Sequence, residues 1–221
     1  MKPTRLLDRS TTPDGVPITL HEHDGTISIR IGGVELMSTR QHHSEERLAE
    51  LACAGLAERG RATVLIGGLG LGFTLRETLR HVASDATVVV AELVPAVIAW
   101  NRNPAYRLGA DVIDDPRVEI VAGDVADVLA GSRGRFDSIM LDVDNGPSGL
   151  TAASNDALYV ATGLGAARAA LRPTGRLAVW SAGEDRRFMA RMEAAGFAVE
   201  VVKARTHPTS GGWNAIYLGT R

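Results

Sequence analysis

Between Ile18 and Met37 apolar and polar residues alternate in short runs, whereas from Ala62 onward blocks of consecutive aliphatics are each followed by helical periodicity. Alternation is the mark of half-exposed strands, whose side chains point to opposite faces at successive positions. Ile18–His23 and Thr26–Ile31 are such strands, split by Asp24-Gly25, a pair that supplies the positive φ angles of a tight hairpin. Gly32-Gly33 permits a further turn into Val34–Met37. A helix is expected from Ser44, with Glu45, Glu46 and Arg47 in its first turn and Leu48, Leu51, Ala52 and Leu56 at helical spacing.

The second regime reads as strand and helix in turn. Thr63–Ile66 precedes a helix over Thr74–Val82, and Thr87–Ala91 precedes one over Pro95–Asn101. Val118–Val121 leads to Val125–Leu129, Ser138–Leu141 to Leu158–Leu171, and Leu177–Ser181 to Arg186–Ala195. Ala198–Lys203 and Ala215–Leu218 have no helix between them and should pair antiparallel. The pattern predicts an α/β fold: a doubly wound, mostly parallel Rossmann-like sheet behind a short N-terminal β-hairpin unit. The division expected is a β-unit over residues 1–43 and a nucleoside-binding body over residues 44–221.

The first strand of the body runs into Gly67-Gly68-Leu69-Gly70-Leu71-Gly72. Glycines at these positions let the backbone turn sharply and approach a ligand closely, and the helix behind them presents unpaired N–H groups. Gly67, Gly68, Gly70 and Gly72 are therefore candidate cofactor contacts. Ligands in such sheets bind beyond the C-terminal ends of the strands, so polar residues there carry the interest. Glu92, twenty residues past Gly72, ends the second strand where a ribose-binding carboxylate is expected. Asp124, followed by Val125, ends the third strand; it could accept from an exocyclic adenine amine or cap the next helix. Asp142-Val143-Asp144-Asn145-Gly146-Pro147 closes the fourth. Two acids so close push one pKa upward, leaving Asp142 or Asp144 able to take a proton from a substrate amine or hydroxyl.

Composition narrows the function classes. A formal net charge of −2 gives no electrostatic footprint for nucleic acid or an anionic membrane. The single cysteine, Cys53, excludes an internal disulfide and a Cys-rich metal cluster. Gln41-His42-His43 has no companion at metal-ligand spacing, so no metal is expected. Met1–Ser10 is polar, without the apolar core of a signal peptide, and no run is long enough to span a bilayer; a cytoplasmic protein is expected.

In order, the glycine turn, the acidic strand end, Gly123-Asp124 and Leu141-Asp142-Val143-Asp144 resemble the class I S-adenosylmethionine-dependent fold, and more narrowly its spermidine synthase (polyamine aminopropyltransferase) branch. Leu75 to His81, Asp115-Pro116-Arg117-Val118, Arg135 to Asp142 and Pro208 to Trp213 are similar to that branch as well. The resemblance implies that Glu92 holds the ribose and Asp124 the adenine amine, with Asp142 beside the reacting centre. It also implies a homodimer. Gln41, His43, Asn145, Tyr159 and Trp213 are candidates for the acceptor side, and Trp180 for the pocket wall.

The branch carries Gly-Gly-Gly-Asp-Gly-Gly at its turn, and Gly70 stands in place of that aspartate. Its Tyr-His-Glu before the first core helix is here Ser44-Glu45-Glu46. Since the missing aspartate neighbours the amine of the decarboxylated cofactor, intact S-adenosylmethionine and methyl transfer to a small-molecule amine or hydroxyl are the expectation. Aminopropyl transfer from decarboxylated S-adenosylmethionine is the alternative. A nicotinamide-type or non-catalytic nucleotide module is a third reading, against which the glycine spacing counts, because the dinucleotide turn is G-x-G-x-x-G.

Overall fold

The computed structural model describes residues 3–143, 146 and 155–221, with the backbone alone at 155 and 156. The alternating segment forms a four-stranded antiparallel sheet, ordered β1 (Arg5–Thr11), β2 (Pro17–His23), β3 (Thr26–Ile31) and β4 (Val34–Ser38). Asp24 and Gly25 take φ angles of 50° and 79°. Two consecutive positive values are what a two-residue type I′ hairpin turn requires. Strand β1 was not among the expected elements. Its Leu6-Leu7 pair is followed by polar residues without alternation, so its conformation is set by pairing with β2 and by tertiary anchors. One anchor is the Trp100 indole N–H, which donates to Asp8 at 2.8 Å.

The alternating strands and helices behind it build the second layer. In chain order these are α1 (His43–Ala52), β5 (Thr63–Gly67), α2 (Phe73–His81), β6 (Thr87–Glu92), α3 (Pro95–Arg102) and β7 (Val118–Ala122). Then follow α4 (Val125–Ala130), β8 (Phe136–Leu141), α5 (Ala161–Ala170), β9 (Leu171–Ser181), α6 (Arg186–Ala194), β10 (Ala198–Arg205) and β11 (Trp213–Thr220). The seven strands lie in the order β10-β11-β9-β8-β5-β6-β7. β5 to β9 are mutually parallel, and β11 runs antiparallel to both β9 and β10. The expected doubly wound sheet with an antiparallel edge is thus observed. The order reverses between β5 and β8, and the switch point there opens the crevice in which such sheets bind ligands.

Two helices differ from their expected ranges: α1 ends at Ala52, so Leu56 lies beyond it. Instead of spanning 158–171, α5 begins at Ala161 behind a short 3-10 turn at Asn155–Leu158. Val160 is extended (φ −95°, ψ 173°), and the first turn contains Gly163, a poor helix former. β9 begins at Leu171, earlier than expected, because its register with β8 slips between Phe136 and Ser138. Such a bulge holds residues that no alternation pattern announces.

Burial explains why the two sheets stay together. Val64 and Ile66 of β5 face one apolar cluster with Leu48, Leu75 and Trp100, while Leu65 faces another with Leu129, Leu164 and Phe188. A central parallel strand covered on both faces needs apolar residues at every position, hence the unbroken aliphatic run. Ile18, Leu20 and Ile29 of the small sheet belong to the first cluster, so that sheet is packed onto the α1–α3 face. No helix among the described residues is long and apolar enough to cross a membrane.

Candidate functional site

The glycine turn lies where β5 ends at the switch point. Gly68, Gly70 and Gly72 have φ angles of 91°, 52° and 83°. A Cβ on Gly68 would lie 2.4 Å from the Asp142 carbonyl oxygen, so only glycine fits between β5 and the loop after β8. A Cβ on Gly70 would meet the end of the Met37 side chain at 2.7 Å, which places β4 directly over the turn. Gly72 sits at the N-cap of α2 in the left-handed conformation.

Each acid at a strand end has a defined backbone or side-chain partner. Glu92 is buried, and its two carboxylate oxygens accept the Leu69 and Val94 N–H groups, each at 2.8 Å. It therefore holds the glycine turn against the start of α3. Asp124 accepts the Ala126 N–H at 2.8 Å and caps α4. The capping alternative is real, and Asp124 nevertheless lines the cavity described below. Asp142 accepts the Thr74 hydroxyl at 2.6 Å, and burial pushes its carboxyl up to about 6.

Sequence reasoning did not count Glu45 among the site residues. It is buried in the first turn of α1, bonded to the Ser44 hydroxyl, which in turn accepts from the Asn214 amide at 3.0 Å. Burial first, and then the charge of Asp142, push the Glu45 carboxyl up to about 7. A signal was available: Ser44-Glu45-Glu46 occupies the place of the branch's Tyr-His-Glu.

Glu45, Glu92, Asp124 and Asp142 face one cavity of about 510 Å³. Its floor is Gly68, Gly70, Gly123, Val125 and Val143 from the large sheet, and its roof is Ile18, Ile29, Ile31, Leu36 and Met37 from the small one. Thr12, Pro13 and Asp14 close its rim. Five carboxyl groups line the cavity, those of Asp14, Glu45, Glu92, Asp124 and Asp142, and no Lys, Arg or His does so among the described residues.

The expected residues divide accordingly. Gly68, Gly70, Glu92, Asp124, Val125, Asp142 and Trp180 line the cavity. Gly67, one residue before, packs under it; a Cβ there would lie 2.9 Å from Val125. Gln41 is exposed in a bridge to Ser38, and His43 pairs with Glu46 at 3.6 Å; neither lines the cavity. Tyr159 is buried edge-on against Phe188, with its hydroxyl 3.4 Å from the Val143 carbonyl oxygen. Trp213 is exposed under the Arg205 guanidinium. Asp144 and Asn145 lie outside the described residues.

This arrangement of turn, acids and covering sheet has counterparts among known proteins. No protein-family model matches the chain. Polyamine aminopropyltransferase 1 of Streptomyces coelicolor is 31% identical over 152 residues, 68% of this chain and 27% of that protein. The polyamine aminopropyltransferase of Mycobacterium tuberculosis is 27% identical over 191 residues, 82% of this chain and 35% of that one. The chain therefore spans about a quarter to a third of the length of these curated relatives. The crystal structure of spermidine synthase from Thermotoga maritima superposes with a TM-score of 0.77 at 20% identity, covering 98% of this chain and 72% of that one. A spermidine synthase bound to the transition-state analogue AdoDATO gives a TM-score of 0.76 at 20% identity, with the same coverage. The chain shares the fold of the spermidine synthases and is similar in sequence to polyamine aminopropyltransferases.

These relatives correct the expectation of methyl transfer, and support the aminopropyl alternative over it and over the nicotinamide reading. The cavity carries carboxyl groups at positions other than 70, and among the described residues no cationic side chain lines it to receive a donor carboxylate.

Proposed function

We propose that the chain transfers an aminopropyl group from decarboxylated S-adenosylmethionine to an amine acceptor. Every charged residue that lines the cavity among the described residues is acidic, and this carries the reading. A donor with a sulfonium and an ammonium, meeting an acceptor that arrives as a second ammonium, matches carboxylates on every side. The carboxylate of intact S-adenosylmethionine would be left facing acids, and burying an unpaired charge is costly.

Bound in the cavity, the donor supplies an electrophilic carbon on sulfur; the protein's work is positioning and proton removal. Glu92, its oxygens already fixed by Leu69 and Val94, accepts from the ribose hydroxyls in this reading. Asp124 at the end of β7 takes the adenine amine, and Val125 packs beneath the ring. Asp142, held by Thr74, receives the acceptor's proton. The apolar roof excludes water. By resemblance, the proposal extends to a homodimer in the cytoplasm, which sedimentation and cell fractionation test.

Calorimetric titration decides between donors. Decarboxylated S-adenosylmethionine should bind at least about tenfold more tightly than the intact form, the difference one poorly compensated charge makes. Tighter binding of intact S-adenosylmethionine, or no aminopropylated amine in a product assay, would sink the reading.

A further inference from the structure

Glu45 is the buried acid that the proposed transfer does not yet use. It stands on α1, opposite the end of β8, and faces the same cavity as Asp142. Both side chains are held from behind by neutral donors: Asn214 of β11 bonds Ser44, which bonds Glu45, and Thr74 of α2 bonds Asp142. Neither carboxyl has a cationic side chain as its hydrogen-bond partner among the described residues. Two acids brought together in an apolar enclosure with no countercharge form a site lacking its cation.

We propose that Glu45 and Asp142 act as a two-carboxyl clamp for the acceptor's reacting nitrogen, with Glu45 the second proton-holding group of the transfer. This inference rests on the aminopropyl reading. Before the acceptor arrives the pair shares one proton, because two adjacent buried carboxylates cannot both ionise at low cost. The incoming ammonium displaces that proton to solvent and sits between two carboxylates. One of its own protons then passes to the pair, freeing the nitrogen lone pair. The lone pair forms the new carbon–nitrogen bond as the carbon–sulfur bond breaks, and the departing electron pair neutralises the sulfonium sulfur. The product leaves as a secondary ammonium, the pair retains one proton, and one proton in total has gone to solvent.

The charged groups acting on Glu45 are few. Asp142, in the loop after β8, is the largest, and Glu46 of its own helix adds a weaker push in the same direction. The neighbours that α2 and β11 bring into this hydrogen-bonded arrangement, Thr74 and Asn214, are uncharged. Glu45 stands where the branch carries the histidine of Tyr-His-Glu, so a carboxyl pair here would bind the acceptor by charge where a neutral imidazole could not.

The test uses n-butylamine and 1,4-diaminobutane as acceptor probes. Glu45→Gln keeps the shape and removes the charge. Its affinity for methylthioadenosine should match that of the unaltered protein, while the KM for both amines rises about ten- to a hundredfold, the loss of one charge-assisted contact. The acid limb of kcat/KM should also move to lower pH, because the carboxyl raised to about 7 is gone and only Asp142, at about 6, still titrates there. Glu45→Asp should restore part of the amine affinity. If the enzyme transfers aminopropyl groups and Glu45→Gln leaves the amine KM and pH profile unchanged, the clamp is refuted while the function stands. No transfer by the unaltered protein would instead fail the function itself. A second measurement needs no variant: between about pH 6 and about pH 7, amine binding in two buffers of different ionisation heat should show about one proton released per amine. Zero release would overturn the shared-proton pair even if Glu45→Gln did not fold.

Discussion

At Glu92 two backbone N–H groups converge on one buried carboxylate, so a residue proposed to hold the ribose also holds the fold. Glu92→Ala would orphan the Leu69 and Val94 donors, at about 1–3 kcal/mol each. It should therefore melt lower as well as lose methylthioadenosine binding, whereas Glu92→Gln, which keeps one acceptor oxygen, should lose less stability. Thermal denaturation beside calorimetry checks this; an alanine variant that melts like the parent would show that the carboxylate does not pin the turn. Glu45 and Asp142 act on stability in the opposite sense to an ordinary ion pair. Their folded-state carboxyls lie at about 7 and about 6, above the ordinary values of 4.5 and 3.8. The folded protein thus binds their protons more tightly than the unfolded chain does. That contribution is complete below the ordinary values and is lost as pH rises through about 6 to about 7. Urea midpoints should fall between about pH 4 and about pH 7, and Glu45→Gln should flatten part of that slope. A midpoint independent of pH over this window would contradict the raised values.

At the scale of elements, β4 and the glycine turn are fitted to each other. Gly68 faces backbone, the Asp142 carbonyl at 2.4 Å from a hypothetical Cβ, whereas Gly70 faces the flexible end of Met37. Gly68→Ala should accordingly cost about 3 kcal/mol or more, since strain at φ 91° and a backbone clash add. Gly70→Asp should cost only about 1–2 kcal/mol, because Met37 can swing aside and Asp tolerates the left-handed region. Adding Met37→Ala should recover part of that loss in chemical denaturation, and no recovery would mean that β4 does not press on the turn. The large sheet was legible because its strands are buried on both faces and its helices amphipathic, so periodicity alone placed them. β1 was not, since Asp8 is fixed by Trp100, 92 residues along the chain. Among the candidate residues, Gly68, Gly70, Glu92, Asp124 and Asp142 were placed by topology at strand ends and line the cavity. Gln41 and His43, taken for their place between the two sheets, and Tyr159 and Trp213, taken as aromatic wall candidates, do not line it. Glu45 was read as a helix-opening acid, which it also is; only the approach of α1 to β8 reveals its second neighbour.

At the scale of the molecule, charge is distributed unevenly. The whole chain carries a formal net charge of −2, yet one cavity collects five acidic side chains with no basic one among the described residues. A near-neutral exterior gives little long-range attraction, while a low-dielectric mouth lined by carboxylates focuses its field on approaching cations. The consequence is kinetic. A doubly charged amine should gain more from that field than a singly charged one of the same length, and the gain should fade as salt shortens the screening length to about 8 Å near physiological strength. Measured as kcat/KM, the preference for 1,4-diaminobutane over n-butylamine should therefore shrink when ionic strength rises from about 0.01 M to about 0.15 M, where the screening length falls from about 30 Å. The Glu45→Gln variant should show a smaller preference throughout, having lost one of the charges at the reacting end. Were the preference instead constant across salt, the second ammonium would be recognised by contact at short range, and Asp14 at the cavity rim would be the carboxyl to remove next.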